Sequence, residues 1–196
     1  MRSETVRNSS QSHRQNVEKE KMSTSSRQIK ADAHLIFMTG EAFLNAARTL
    51  DKERKSGNPY ILDLTLAVNS AMALELFLKC LRTIEKGFFF MGHEFDQQFS
   101  ELKEATRNEV RRRHDKAVDR DQDQFFSKMR ANNFKTDLDS LLDMGKNTFS
   151  DFRYAFEPST KAKKTTWGLD NFMFDIRDII LERHPEWTPH GYPPPR

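Results

Sequence analysis

Apolar positions follow a helical repeat along most of this chain. In residues 28–54, apolar side chains recur every three or four residues, which is the period of an amphipathic helix, with Gly40 as a weak point. Residues 59–86 are the most apolar, and apolar positions nearly encircle that segment, so we expect it to be the central helix. The sequence Ser-Gly-Asn-Pro at residues 56–59 predicts a turn between the two helices.

Further periodic segments predict a short helix over residues 94–105, a core helix from about residue 133 to Pro158, and a last helix from residue 169 to Pro185. Residues 107–123 are densely charged with both signs, which predicts an exposed helix or excursion rich in ion pairs. The chain has fewer Gly and Pro turn signals than a β-sandwich or a β-barrel requires. We therefore predict an all-α fold, an antiparallel up-and-down bundle of four to five main helices.

The length of 196 residues fits one domain with tails. Residues 1–27 are rich in Ser, Gln, Arg and Glu and have almost no large apolar side chains, so we expect a disordered basic tail. Residues 28–184 form the predicted helical-bundle domain. Residues 185–196 form a Pro-rich C-terminal tail that we expect to be extended.

Composition and charge narrow the classes of function only a little. The net charge of +3 is weak, but bases gather in the N-terminal tail and at residues 161–164, where they would attract phosphate backbones or simply be solvated. A single cysteine, Cys80, excludes an intramolecular disulfide and a thiolate metal cluster. We find neither a secretory signal nor an apolar stretch approaching the roughly 20 residues needed to cross a bilayer, so we expect a cytoplasmic protein without membrane contact.

Polar residues inside apolar helices are the first candidates for chemistry. Glu75 and Lys79 are four residues apart and share a helix face, and Asn69 precedes them by nearly two turns. They form either a surface ion pair or a partly buried polar cluster that receives a third group. Arg153, flanked by aromatic residues and four residues before Glu157, is the predicted third group.

The histidines give a second set of candidates. His93 follows Gly92 and opens a helix, where it either closes the turn or joins the polar cluster. His114 lies among charged residues and His184 precedes Pro185, so we expect both to be exposed. The spacing of His, Cys and carboxylate residues predicts no metal site, and the absence of a Gly-rich phosphate loop predicts no cofactor.

Three segments, in order, resemble the HEPN superfamily (higher eukaryotes and prokaryotes nucleotide-binding). They are NSAMALELFLK from Asn69 to Lys79, GHEF from Gly92 to Phe95, and RYAFE from Arg153 to Glu157. The resemblance covers about residues 30–182 and implies an antiparallel bundle, a homodimer and a polar groove between helices. The groove residues that it implies are Asn69, Glu75, Lys79, His93, Arg153, Tyr154 and Glu157.

Many HEPN proteins are metal-independent ribonucleases of defence or toxin–antitoxin systems, with an Arg followed five or six positions later by a His. Arg153 fits the Arg, but Pro158 and Ser159 stand where the His is expected. In two other Arg–His pairs, six residues separate the Arg from the His: Arg107 with His114, and Arg177 with His184. The second pair is the better candidate.

We therefore expect a HEPN-like domain that binds a nucleotide, an RNA or a protein partner encoded nearby through this groove. The first alternative is a metal-independent ribonuclease, whose candidate catalytic residues are Arg153, His93, Arg177 and His184. The second alternative is a structural dimerisation domain.

Overall fold

The computed structural model describes residues 31–57, 59–88, 91–122, 124–146 and 169–188, without the side chains of residues 59–63. These residues form α-helices and one short 3₁₀ helix and contain no strand, so the all-α prediction is confirmed for them. The predicted N-terminal tail, the basic residues 161–164 and most of the Pro-rich tail lie outside the described residues. The helices are α1 (Ala33–Ser56), α2 (Pro59–Lys86), α3 (Phe95–Ser100), α4 (Glu104–Arg120), α5 (Phe125–Ala131), α6 (Leu138–Gly145) and α7 (Asp170–Arg183), followed by the 3₁₀ helix Pro185–Trp187.

Helices α1 and α2 form an antiparallel hairpin. Asp32 caps the start of α1, because its side chain accepts hydrogen bonds from the backbone N–H groups of His34 and Leu35 at 2.9 and 3.3 Å. Near that end, Cys80 Sγ of α2 lies 3.3 Å from the carbonyl oxygen of Ala33. The cap explains why α1 begins at Ala33, five residues after the position predicted from periodicity.

Gly40 allows α1 and α2 to approach each other closely. A Cβ atom at this position would lie 2.7 Å from Cε1 of Phe77 and 3.4 Å from Cβ of Leu76. Phe77 is fully buried, so its ring has no free space to move into. The glycine that weakens the helix by propensity is required here by packing.

Helix α2 contacts α1, α3 and α7, which agrees with its nearly continuous apolar surface. Helix α7 also packs against α4, and α3 packs against α6. The largest fully buried side chains come from most of these helices and form one apolar core, which includes Phe37, Phe77, Phe95, Phe126, Phe172 and Leu141.

The charged segment 107–123 forms most of α4, and the predicted ion pairs are present. Glu109 binds Arg112 and Arg113 at 2.6 and 2.7 Å. Its three donors of hydrogen bonds lower the pKa of the Glu109 carboxyl to about 2. The inner face of this helix is nevertheless buried, at Thr106, Val110 and a histidine one turn further on.

The segment between α4 and α6 differs from the sequence-based prediction. Helix α5 was not predicted, and it is capped by Asp121, whose carboxylate accepts from the backbone N–H groups of Phe126 and Ser127 at 2.8 and 2.7 Å. The helix predicted from residue 133 begins only at Leu138, where the Asp137 side chain accepts from the Ser140 N–H at 2.9 Å, and Asn133 before it adopts a left-handed φ of 62°. It ends at Gly145, and residues 147–158 of the predicted helix lie outside the described residues. Side-chain capping and this local backbone conformation override the apolar periodicity.

The expectation that no apolar stretch approaches the length needed to cross a bilayer is wrong. The segment Leu64–Lys86 of α2 is long and apolar enough to cross a bilayer by length and composition. More than half of its most apolar window is buried inside the protein, and the core helix of a globular protein meets the same criterion. Packing against the neighbouring helices accounts for the buried part of this apolar surface.

Candidate functional site

The structure brings together three of the predicted site residues, Glu75, Lys79 and His93. Lys79 Nζ donates a hydrogen bond to Glu75 Oε1 at 2.7 Å, and His93 Nδ1 lies 2.9 Å from the same oxygen. Glu75 is only 2 % exposed, and the side chains of Lys79 and His93 are 11 % and 64 % exposed. A carboxylate so deeply buried does not fit a simple surface ion pair.

The buried carboxylate holds one cation below the surface and one imidazole at the surface. The Lys79 ammonium offsets the cost of burying the Glu75 charge. When His93 Nδ1 carries the proton, the carboxylate accepts its hydrogen bond and fixes both the tautomer and the orientation of the ring. An imidazole held in this way can contact an anion or transfer a proton.

A buried glutamine fixes the peptide that precedes His93. Gln98 of α3 is 1 % exposed, and its Nε2 donates to the carbonyl oxygen of Gly92 at 3.1 Å. We did not predict this residue from the sequence. It shares the inner face of α3 with Phe95 and Phe99, so a polar residue within an apolar stripe was the available signal.

Two buried acceptors lie in this cluster, Glu75 Oε2 and Gln98 Oε1. Within the described part of the chain, neither accepts a hydrogen bond. A buried acceptor without a donor costs roughly 1–3 kcal/mol. Both oxygens therefore retain the capacity to take a hydrogen-bond donor.

The other residues predicted for this cluster are not in contact with it or lie outside the described residues. Asn69 is on α2, and its Nδ2 donates to the Thr65 carbonyl oxygen of the same helix at 2.8 Å. Arg153, Tyr154 and Glu157 lie outside the described residues. Their contribution to the cluster stays a prediction.

The pair Arg177 and His184 does not assemble into a catalytic pair. Arg177 is buried and donates to both carboxylate oxygens of Glu41, at 2.5 and 3.2 Å. His184 Nδ1 lies 3.0 Å from Glu186, and the ring stacks on Trp187 with the centroids 4.1 Å apart. Each member of the pair thus serves a separate structural contact.

The expectation that His114 is exposed is wrong. His114 is 1 % exposed, because it lies on the inner face of α4 with Val110. Its Nε2 lies 2.7 Å from the Thr136 carbonyl oxygen, and its ring packs edge-on against Phe126. Arg107, the other member of that pair, donates to the Ser100 carbonyl oxygen instead.

A second buried polar cluster surrounds Glu85 of α2. Its carboxylate accepts from the backbone N–H of Lys103 at 2.7 Å, from Arg183 Nη1 at 2.9 Å and from the Thr106 hydroxyl. Burial alone would raise the pKa of Glu85, but these donors stabilise the anion more strongly and lower the pKa below its usual value. The cluster joins α2 to the start of α4 and the end of α7, which is a structural role.

Two further features limit the chemistry of the described residues. Burial raises the pKa of the Cys80 thiol to about 12, so this side chain is unsuited to act as a nucleophile. In the part of the chain that the structure describes, no three His, Cys, Asp or Glu side chains are grouped so that they could hold a metal ion.

Comparisons of the chain with protein-family models, with curated proteins and with solved structures found no match. Membership of the HEPN superfamily therefore stays a prediction that rests on the three sequence segments. Two of them lie in the described residues, on α2 and at the start of α3.

Proposed function

We propose that this chain is a HEPN-like helical-bundle domain that binds the phosphate groups of an RNA or a nucleotide at the Glu75, Lys79 and His93 cluster. The observation that supports this function is the single carboxylate oxygen of Glu75 to which Lys79 and His93 both bind. That arrangement places a histidine at the surface with a lysine directly behind it.

The charges of the cluster suit an anion once the imidazole is protonated. Glu75 then neutralises one of two cations, and one positive charge remains near the surface. Hydrogen bonds from a charged donor to a phosphate oxygen are shorter and stronger than those between neutral groups. Since His93 is far more exposed than Lys79, the ligand contacts His93 first.

Binding to a labelled single-stranded RNA and to adenosine 5′-monophosphate tests the proposal. Fluorescence anisotropy should show RNA affinity reduced about tenfold or more in His93→Ala, which corresponds to roughly 1.4 kcal/mol, and calorimetry with the monophosphate shows whether a free nucleotide uses the same cluster. The matched control is His34→Ala, which removes an exposed histidine from α1. Equal RNA affinity of wild type and His93→Ala would overturn the proposal.

A metal-independent ribonuclease is the second candidate, and the contact between His93 and the buried Glu75 favours it. A histidine oriented by a carboxylate can remove the proton from a ribose 2′-hydroxyl, whose oxygen then attacks the adjacent phosphorus while the 5′-oxygen leaves and takes up a proton. Structured and single-stranded RNAs incubated in EDTA with wild type, His93→Ala and Glu75→Gln separate the two functions. Cleavage that falls about 100-fold or more in both variants supports catalysis, whereas binding without cleavage supports the binding domain.

A purely structural role, such as dimerisation, is the third alternative. In that case the polar cluster only fixes the packing of α2 against the segment before α3. The double variant Glu75→Leu/Lys79→Met should then keep its stability and any RNA affinity. Loss of affinity at unchanged helical content would exclude this alternative.

A further inference from the structure

Helices α4 and α7 enclose a groove that is separate from the Glu75 cluster. Its cavity has a volume of about 350 Å³ and adjoins a second cavity of about 190 Å³ at the start of α5. Ala117, Arg120 and Asn171 line both cavities, so the two form one continuous groove. The larger volume is within the range of small-molecule sites, roughly 300–1,000 Å³.

An ion pair at one end of the groove shows that α4 and α7 run antiparallel along it. Arg113 Nη2 donates to Glu182 Oε2 at 2.6 Å and closes one end of the groove. Because Arg120 lies two turns after Arg113 and Asn171 lies three turns before Glu182, these two residues meet at the other end. That end is open towards α5.

Cations repeat along the α4 wall of the groove. Arg112, Lys116 and Arg120 are four residues apart and share one helix face, where like charges repel. Arg112 is paired with Glu109 at 2.6 Å. Lys116 and Arg120 are exposed and have no ion pair or hydrogen bond within the described residues.

Most acids around the groove are already engaged. Glu182 binds Arg113 at 2.6 Å, and Asp178 lies 3.4 Å from Arg177. In the smaller cavity, the carboxylate of Asp121 caps α5. Asp175 lies on the α7 wall one turn beyond Asn171, on the side of Glu182, so an anion is best accommodated at the Arg120 end.

We propose that this open end binds the phosphate ester of a nucleotide. Lys116 and Arg120 supply the positive charge, and the guanidinium of Arg120 offers paired donors that match two phosphate oxygens. The Asn171 carboxamide, which makes no hydrogen bond with the described residues, adds a neutral donor. Phe125 lines the smaller cavity beside Arg120 and offers a ring surface for the base.

Calorimetric titration with adenosine 5′-monophosphate, with adenosine and with inorganic phosphate tests this site. Wild type should bind the monophosphate at least tenfold more tightly than adenosine. In a His93→Ala background, which removes the surface group of the Glu75 cluster, the double variant Lys116→Gln/Arg120→Gln should lose that preference. Lys128→Gln/Lys135→Gln in the same background, which removes the same charge from exposed positions on α5 and after it, should keep it. Asn171→Asp replaces a neutral donor with an acid of the same size. It should also lower the affinity for the monophosphate by tenfold or more.

Two further arms separate the possible outcomes. The first arm compares the monophosphate with a short RNA that has internal phosphodiesters but no terminal phosphate. Only tighter binding of the monophosphate than of this RNA supports the proposal. The same titration in His93→Ala should still show the groove-dependent preference, because the groove is independent of the Glu75 cluster. Two results would overturn the proposal. One is monophosphate affinity that is equal in His93→Ala with and without Lys116→Gln/Arg120→Gln, and the other is monophosphate affinity that disappears in His93→Ala alone.

Discussion

Arg177 on α7 donates to both carboxylate oxygens of Glu41 on α1, and both side chains are at least nine-tenths buried. The contact joins residues that are 136 positions apart in the chain. Neither residue contacts solvent appreciably, so the pair fixes how α7 lies against α1.

Removing one member of this pair should destabilise the protein strongly. We expect Glu41→Ala to lower the free energy of unfolding by about 3–5 kcal/mol, because the Arg177 charge loses its main partner inside the core. The double variant Glu41→Ala/Arg177→Ala should lose less than the sum of the two single variants. Urea denaturation followed by circular dichroism measures both effects.

The partly exposed pair Asp51 and Arg54 on α1 is the matched control. Its side chains are about one-third exposed, so Asp51→Ala should change the free energy of unfolding by less than about 1 kcal/mol. If the losses of unfolding free energy in Glu41→Ala and Arg177→Ala add up to the loss in the double variant, the prediction for the Glu41 and Arg177 pair is contradicted.

Gly40→Ala should destabilise the protein, although alanine favours helices over glycine by about 1 kcal/mol. The added Cβ would approach the buried Phe77 ring to 2.7 Å and force α1 and α2 apart. Thermal unfolding measures the change, with the exposed substitution Thr49→Ala as the control. A rise in the melting temperature of Gly40→Ala would show that the helices have room to separate.

Glu85 should contribute to the loss of stability in acid. Its pKa in the folded protein lies below the usual 4.5, because its hydrogen-bond donors outweigh the cost of burial. The stability that it contributes is therefore fully present above about pH 4.5 and is lost as the pH falls through the lowered pKa. We expect Glu85→Gln to be less stable at neutral pH and to lose less stability on acidification.

Urea denaturation between pH 7 and pH 3 tests the Glu85 prediction, with the exposed Glu53→Gln as the control. Parallel pH profiles for wild type and Glu85→Gln would contradict it, because the pKa of Glu85 would then be the same in the folded and unfolded states.

Gln98 should act on ligand binding through His93. Gln98→Leu removes the hydrogen bond to the Gly92 carbonyl, and we expect RNA affinity to fall roughly 3- to 10-fold, which is the effect of losing one hydrogen bond of about 1 kcal/mol. The neighbouring exposed residue provides the control, Gln97→Leu. In a His93→Ala background, Gln98→Leu should have no further effect. An equal loss in both backgrounds would mean that Gln98 acts on the fold rather than on His93.

Apolar periodicity was sufficient to predict the helical class and most helices. Helix α2 has the predicted bounds, and α7 begins one residue after its predicted start and ends two residues before Pro185. Helix α3 ends at Ser100, five residues before its predicted end. Helix α5 was missed, since the Asp121 cap that starts it depends on a local backbone conformation that periodicity does not contain.

The candidate site was predictable only in part. The four-residue spacing of Glu75 and Lys79 is a property of one helix, so it could be read from the sequence, whereas the approach of His93 to the same oxygen depends on how the chain returns after α2. The spacing of Arg177 and His184 could also be read from the sequence, whereas the contact of Arg177 with Glu41 depends on how α7 packs against α1.

The sequence by itself determined that the described residues are helical and where the long amphipathic helices α1, α2 and α7 form, because these follow from local spacing and side-chain type. Glu41, Gln98 and Arg177 are polar residues on the buried faces of three of these helices. Only the tertiary structure decided their partners, since a buried charge or amide is satisfied by whichever donor or acceptor the packing of distant helices brings within about 3 Å.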